Sequence, residues 1–261
     1  MNYTLITGAT GGLGKAYVFE LAKRGESLLL TGRSEEKLAA LKEEVLNLYP
    51  DLSVLTYACR LDREKERADF YAFFDRICLS CAVLVAGADI QKPFQDYTEE
   101  KLLFQQRVNF EANVSLAKFC FEHKAEGFSL LAVSSVSGLY PMPYFALYSA
   151  TKGALTSFFS AIHYEWRGKA KVTVVIPGAI PTRDDVKDNI KTQGIWGKLA
   201  VKSPEFVAKN SLKALKKNKM QYVPGFWNNV MRVGTAIIPL TWKMRFIERR
   251  WSKTTKDAFP L

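Results

Sequence analysis

Apolar positions along this chain come in two alternating rhythms. Short, nearly continuous runs at 3–7, 27–33, 53–61, 81–87, 129–135 and 172–182 are rich in Val, Leu, Ile, Thr and Tyr. Such runs suit strands, and a continuous run such as 81–87 suits a strand covered on both faces. Between them, apolar residues recur every three or four positions, the helical period. The spacing predicts helices over 15–25, 34–50, 64–78, 98–126, 144–167 and 203–217. The first carries Ala16, Val18, Phe19, Leu21 and Ala22 on its apolar side, and Gly25 closes it. Ser34 reads as the N-cap of the second, with acids in the first turn, and Ser203-Pro204-Glu205 opens the last. A short strand at 220–224 follows. Strand and helix alternate throughout, which predicts an α/β fold, a three-layer doubly wound parallel sheet in one domain over 1–225. Residues 183–202 are of mixed polarity, hold Gly194, Trp196 and Gly197, and read as a flap. Residues 226–261 extend beyond the domain as a basic, amphipathic segment.

Composition narrows the picture in three places. The 261 residues contain no run of eighteen apolar residues, and the N-terminus enters a strand without a basic leader, so neither a spanning helix nor a signal peptide is expected. Of the four cysteines, Cys78 and Cys81 form a CxxC without a second pair or a histidine cluster. Buried thiols in a reducing cytoplasm are the expectation, with no metal site; zinc or redox chemistry is the alternative. The net charge of +11 is concentrated from Lys213 onward, where eleven Lys and Arg face two acids. A basic tail fits nucleic acid, an anionic membrane surface or a solvated face. It carries no groove-reading module, so nucleic acid is not expected.

Three stretches carry candidate chemistry. Between the first strand and helix, GATGGLG places Gly8, Gly12 and Gly14 where backbone can approach a ligand and a helix N-terminus offers free N–H groups to a diphosphate. A tight turn with no ligand is the alternative. At the end of the second strand, where an acid would bond an adenosine 2′-hydroxyl, stand Gly32 and Arg33. Arg33 is able to pair with a 2′-phosphate, favouring NADP(H) over NAD(H), or it is merely solvated. Tyr148 and Lys152 are four apart and share a helix face, with Ser135 thirteen residues before the tyrosine. An ammonium about 4 Å from a phenol, at an effective dielectric near 20, attracts its anion by roughly 4 kcal/mol. That lowers the phenol's pKa toward the range where a general acid works. An ordinary helix start with an exposed lysine is the bland alternative.

TGATGGLG at 7–14, Asn109, VSSVSG at 133–138, YSATK at 148–152 and PGAIPT at 177–182 together resemble the short-chain dehydrogenase/reductase family, over about residues 3–225. The resemblance implies a single-domain Rossmann sheet of about seven parallel strands, NAD(H) or NADP(H) as cofactor, and interconversion of alcohols and carbonyls. It implies a tetrad in which Tyr148 is the proton donor and acceptor and Lys152 binds the nicotinamide ribose and lowers the tyrosine's pKa. Ser135 would hold the substrate oxygen, and Asn109 a water in the proton relay. It implies cofactor contacts from Gly8, Thr10, Gly11, Gly12, Leu13, Gly14, Arg33, Asp62, Ala86, Gly87, Tyr148, Lys152, Pro177, Gly178 and Thr182. One departure stands out. Leu84-Val85-Ala86-Gly87 replaces the usual Asn-Asn-Ala-Gly, so packing is expected to take over a polar brace.

The expected substrate rim is apolar, with Leu139, Tyr140, Met142, Phe145 and Trp196, which suits a small lipophilic or lipid-like carbonyl or alcohol. The alternative is that some of these pack under the flap. The tail interleaves Trp, Phe and Ile with Arg and Lys over 226–251. Its longest uncharged run, ten residues from Val233 to Trp242, is interrupted by Pro239 and cannot span a bilayer. Peripheral membrane contact, a cover over the substrate entrance and a partner surface all fit it. A basic apolar tail is also similar to those of some steroid and long-chain-acyl reductases of the family. A homodimer or homotetramer through the Asn109 and Tyr148 helices accords with the resemblance. The function expected is an NADP(H)-dependent carbonyl reductase. An NADP-linked alcohol dehydrogenase working oxidatively and a non-catalytic NADP-binding scaffold are the alternatives.

Overall fold

The computed structural model describes residues 1–182 and 201–252. Seven strands, β1 (Tyr3–Thr7), β2 (Leu28–Gly32), β3 (Val54–Ala58), β4 (Leu79–Leu84), β5 (Lys124–Val133), β6 (Lys171–Val175) and β7 (Gln221–Tyr222), form one parallel sheet in the order β3-β2-β1-β4-β5-β6-β7. Side chains alternate across it. Leu5, Leu29, Leu84, Leu130 and Val174 enter one apolar layer, Ile6, Leu30, Val83, Leu131 and Val175 the other.

Helices α1 (Gly12–Ala22), α2 (Glu35–Leu48) and α7 (Pro204–Lys216) cover the second layer with Tyr17, Val18, Leu38, Leu41, Val207 and Leu212. Helices α3 (Glu64–Phe73), α4 (Glu99–Gln106), α5 (Ala112–Glu122) and α6 (Ala146–Glu165) cover the first, with Phe70, Phe104, Leu116, Phe119, Leu155 and Phe159. The expected three-layer architecture is therefore present. Two further helices, α8 (Phe226–Ala236) and α9 (Leu240–Trp251), complete the described chain.

Of the boundaries that differ from the sequence pattern, three have a clear physical cause. The helix expected over 98–126 is interrupted by a π-turn at Arg107–Glu111, because one extra residue is accommodated where Asn113 can bond the carbonyls of Val108 and Asn109. β5 starts at Lys124 because Leu79 pairs with it, despite its polar beginning. β6 ends at Val175, before Pro177, which lacks the N–H a ladder needs. The expected flap, Trp196 included, lies almost wholly outside the described residues.

Order and direction create the site. β1 and β4 lie side by side at the centre, where the strand order reverses, and Thr7 pairs with Leu84 at their carboxyl ends. That edge is where an open parallel sheet leaves a crevice for a ligand.

Candidate active site

The glycine turn, the serine loop, the Tyr148 helix start and the Pro177 loop each follow the carboxyl end of a strand or open the helix beyond it. After β1 the chain turns through Gly8 at φ 62°. A Cβ on Gly14 would lie 2.0 Å from the Gly8 carbonyl oxygen, so only glycine lets α1 start so close under the turn. Gly11 is the N-cap of α1 and no side chain caps that helix, whereas Ser34, Thr98 and Ser203 cap α2, α4 and α7. The first-turn N–H groups of α1 thus face the crevice without a side-chain acceptor, which fits a diphosphate. Leu13 is buried behind them. Thr182 closes the opposite wall, its Cβ 2.8 Å from where a Cβ on Gly12 would stand. Thr10 lies beside Gly32 at the end of β2, and Arg33 next to it is exposed. Asp62, beyond β3, is buried and ion-paired with Arg60 at 3.0 Å. These groups fit a dinucleotide laid across the carboxyl ends of β1, β2 and β3.

The loop after β4 shows how the missing asparagines are replaced. Leu84 is fully buried in the core. The polar brace comes from Thr7 instead: its hydroxyl accepts from the N–H groups of Val85 and Ala86 at 3.0 and 3.1 Å. Packing alone was expected here, so Thr7 is a positioning residue that the sequence did not single out. Its only signal was its place at the head of TGATGGLG.

Asn109, in the π-turn, clamps the same loop. Its Oδ1 accepts from Ala88 N–H at 2.6 Å, and its Nδ2 donates to Ala88 O at 2.9 Å and Thr151 Oγ1 at 3.2 Å. Thr151 in turn donates to the Tyr148 carbonyl at 2.9 Å. The amide is committed to these protein groups, so in this arrangement it joins the β4 loop to the helix that carries Tyr148.

The serine loop is fastened from three sides. Ser134 donates to the Lys152 carbonyl and shares a hydrogen bond with Thr156, both at 2.7 Å. Val136 N–H donates to the Pro177 carbonyl at 3.0 Å, tying the loop to the buried Pro177 and half-buried Gly178. A Cβ on Gly138 would stand 2.6 Å from the backbone of Lys152 and Gly153, so glycine is required for the loop to lie on α6. Ser135 sits in this frame, buried, its Oγ accepting from Ser137 N–H at 3.1 Å.

Lys152 is buried at the centre of these contacts. Its Nζ donates to the Val133 carbonyl at 2.9 Å and lies 5.8 Å from the centre of the Tyr148 ring. A Cβ on Gly87 would come within 3.2 Å of both that Nζ and Asn109 Oδ1, so all three meet at one point. Burial pulls the ammonium down to about 8, against the opposing pull of Asp89. An ammonium with a pKa near 8 remains mostly charged at neutral pH. Tyr148, half-buried, packs against Phe145 with ring centres 4.5 Å apart and planes tilted by 32°.

The apolar segment before Tyr148 is divided. Leu139 packs on the main core, while Met142 and Phe145 are covered by Ile247 and Trp251 of α9. Tyr140 lies partly buried beside them, under Lys243. The tail therefore roofs part of the expected rim. A cavity of about 450 Å³ runs between this segment, the first turn of α6 and Met244. Away from the site, the CxxC thiol of Cys81 is buried and pushed up to about 11, the reverse of an activated thiolate.

Residues 2–193 match the family model described as short chain dehydrogenase. The chain belongs to that family. Among the relatives of this short-chain dehydrogenase are a very-long-chain 3-oxoacyl-CoA reductase of Bos taurus and an 11-beta-hydroxysteroid dehydrogenase-like 4A of Arabidopsis thaliana. The first is 29% identical over 82% of this chain and 68% of its own. The second is 27% identical over 90% and 80%. The Anas platyrhynchos very-long-chain 3-oxoacyl-CoA reductase is 31% identical, over 69% of this chain and 58% of its own length. The fold is shared with a 7beta-hydroxysteroid dehydrogenase, at TM-score 0.83 and 22% identity over 94% of this chain and 96% of that one. It is shared too with a Sphingobium yanoikuyae short-chain dehydrogenase in complex with NADPH, at TM-score 0.74 and 19% identity over 100% and 99%. This short-chain dehydrogenase is accordingly an oxidoreductase acting between CH–OH and C=O groups, in a family that uses a nicotinamide cofactor.

Proposed function

We propose that the protein is an NADP(H)-dependent reductase of small apolar or lipid-like carbonyl compounds, with Tyr148 as the proton donor. One observation carries this reading: Lys152, Asn109 and the serine loop are locked around the helix turn that presents Tyr148, at the edge where the glycine turn and Thr182 form the cofactor crevice. A bound nicotinamide supplies the hydride. Reduction of a carbonyl leaves an alkoxide that needs a proton and a hydrogen-bond donor at the same oxygen. Ser135 holds that oxygen, Tyr148 delivers the proton, and the Lys152 charge stabilises the tyrosinate left behind. The same groups serve oxidation of an alcohol in reverse.

For NADP(H), the support is Arg33, an exposed cation at the end of β2, with Arg60 at the adjacent end of β3. For an apolar substrate, it is the Leu139–Phe145 segment and relatives whose names specify 3-oxoacyl-CoA and hydroxysteroid substrates. A homodimer or homotetramer is part of the proposal. The half-buried Phe110 of the π-turn, Phe121 of α5, Phe158 of α6 and Trp166 just past it suit such a contact. A cytoplasmic location suits the four free cysteines.

Replacing Tyr148 by Phe tests the central role. Turnover of a ketone should fall at least about a thousandfold, while NADPH affinity stays within about twofold. Persisting ketone reduction by Tyr148→Phe would remove Tyr148 as the acid.

A further inference from the structure

The C-terminal helices leave an apolar face that nothing in the described structure covers. On α8 and its C-cap, Phe226, Val230, Val233 and Ile237 follow one another at helical spacing along one stripe, with Phe226 74% and Ile237 83% exposed. α9 is divided lengthwise. Lys243, Met244, Ile247 and Trp251 turn toward the substrate segment, and the opposite side presents Trp242, Arg245, Phe246, Arg249 and Arg250 to solvent. Trp242 and Phe246 are each about two-thirds exposed, at 68% and 67%. Exposed aromatic and aliphatic side chains gathered this closely mark a binding surface.

Charge decides among the occupants. Over 226–252 there are five Lys and Arg and one acid, Glu248. Two copies meeting through this face would bring like charges together, which disfavours self-association. Neither helix is long and apolar enough to cross a bilayer. Short amphipathic helices with Trp and Phe on one side and Arg at its margin lie in the plane of a lipid interface, and anionic headgroups strengthen the contact.

We propose that α8 and α9 dock on an anionic lipid surface. α9 is seated by Ile247 and Trp251 on Met142 and Phe145, and the Phe145 ring lies 4.5 Å from that of Tyr148. The lipid face thus stands one helix, about 10 Å, from the segment that borders the reacting tyrosine. Resting on the reductase reading, this position admits an apolar substrate from lipid without passage through bulk water.

The test uses the full chain with vesicles of phosphatidylcholine alone or mixed with phosphatidylserine, at low and high salt. Co-sedimentation with the anionic vesicles is expected, stronger at low salt. Ile237→Asp combined with Phe246→Asp should weaken it at least tenfold. Arg245→Glu combined with Arg249→Glu should remove the preference for phosphatidylserine. Unchanged NADPH binding, and unchanged turnover of a short water-soluble ketone, confirm that the variants are folded. Turnover of a ketone carried in the vesicles should fall with vesicle binding. Docking is overturned if the unmodified protein ignores both vesicles, or if the double aspartate variant binds as tightly. It is equally overturned if the protein sediments as an oligomer that this variant splits while no vesicle is bound. An unmodified protein that turns over ketone but binds no vesicle removes docking alone. Absence of any ketone turnover removes the reductase reading alone.

Discussion

Replacing Lys152 by Met isolates the cost of holding a charge inside the site. The lysine is buried against β5, and its pKa falls from 10.5 to about 8. A lysine with a lowered folded-state pKa binds protons less well when folded. Its penalty is complete below pH 8 and is relieved as pH rises from 8 to 10.5. At about 1.4 kcal/mol per unit, keeping the ammonium charged at pH 7 costs about 3 kcal/mol, most of which is gone by pH 10. The lost hydrogen bond to the Val133 carbonyl works the other way, at about 1.5–3 kcal/mol, so the two proteins need not differ much at pH 7. The change with pH separates the two effects. Urea unfolding without cofactor, followed by the fluorescence of the five tryptophans, gives both stabilities at each pH. The unmodified protein should gain about 2 to 3 kcal/mol on Lys152→Met between pH 7 and pH 10. Groups remote from Lys152 that titrate there, such as the Cys81 thiol, are common to both proteins and cancel in the difference. The same difference at both pH values would show that Lys152 is not a buried charge and would undo the electrostatic reasoning for the site.

The other predictions concern positioning and the cofactor. Gly138→Ala puts a methyl 2.6 Å from the backbone of α6. It should displace the serine loop and lower kcat about a hundredfold, with the Kd for NADPH little changed in a fluorescence titration. Thr7→Val removes the acceptor of two N–H groups. It should cost about 2 kcal/mol in urea unfolding, whereas Thr7→Ser should retain most of that stability. Arg33→Asp should move preference from NADP toward NAD, read as the ratio of kcat/KM for the two cofactors. Equal use of both by the unmodified protein would remove the phosphate role of Arg33.

Much of the fold lies in local pattern. Runs such as 3–7 and 81–87 carry no helical period and are too apolar for a loop, so their strands follow from one-dimensional information. The π-turn does not, because one inserted residue hardly disturbs the apolar spacing of α4 and α5. What holds it open is the bonding of Asn113 to Val108 and Asn109. The glycine turn and the Tyr148–Lys152 pair stood out because each candidate role demands a residue type at a set spacing; Asn109 entered only through the family resemblance. Thr7 and Thr151 were not, since a threonine at a strand end or on a helix has many ordinary uses and shows its partner only after folding. The apolar rim was legible as composition but not as exposure. Whether Met142 and Phe145 face substrate or protein depends on where α9 comes to rest.

The amino-acid sequence by itself determined the strands and helices, the motifs and the order in which they occur, because these depend on short-range period and spacing. Tertiary structure alone decided that residues as distant as Thr7, Asn109, Lys152 and Thr182 share one edge of the sheet. That convergence comes from strand order, with β4 placed beside β1, and strand order is a property of long-range pairing. It also decided the state of Lys152, since a charge answers to the water and carbonyls around it, and burial exists only once the layers have closed.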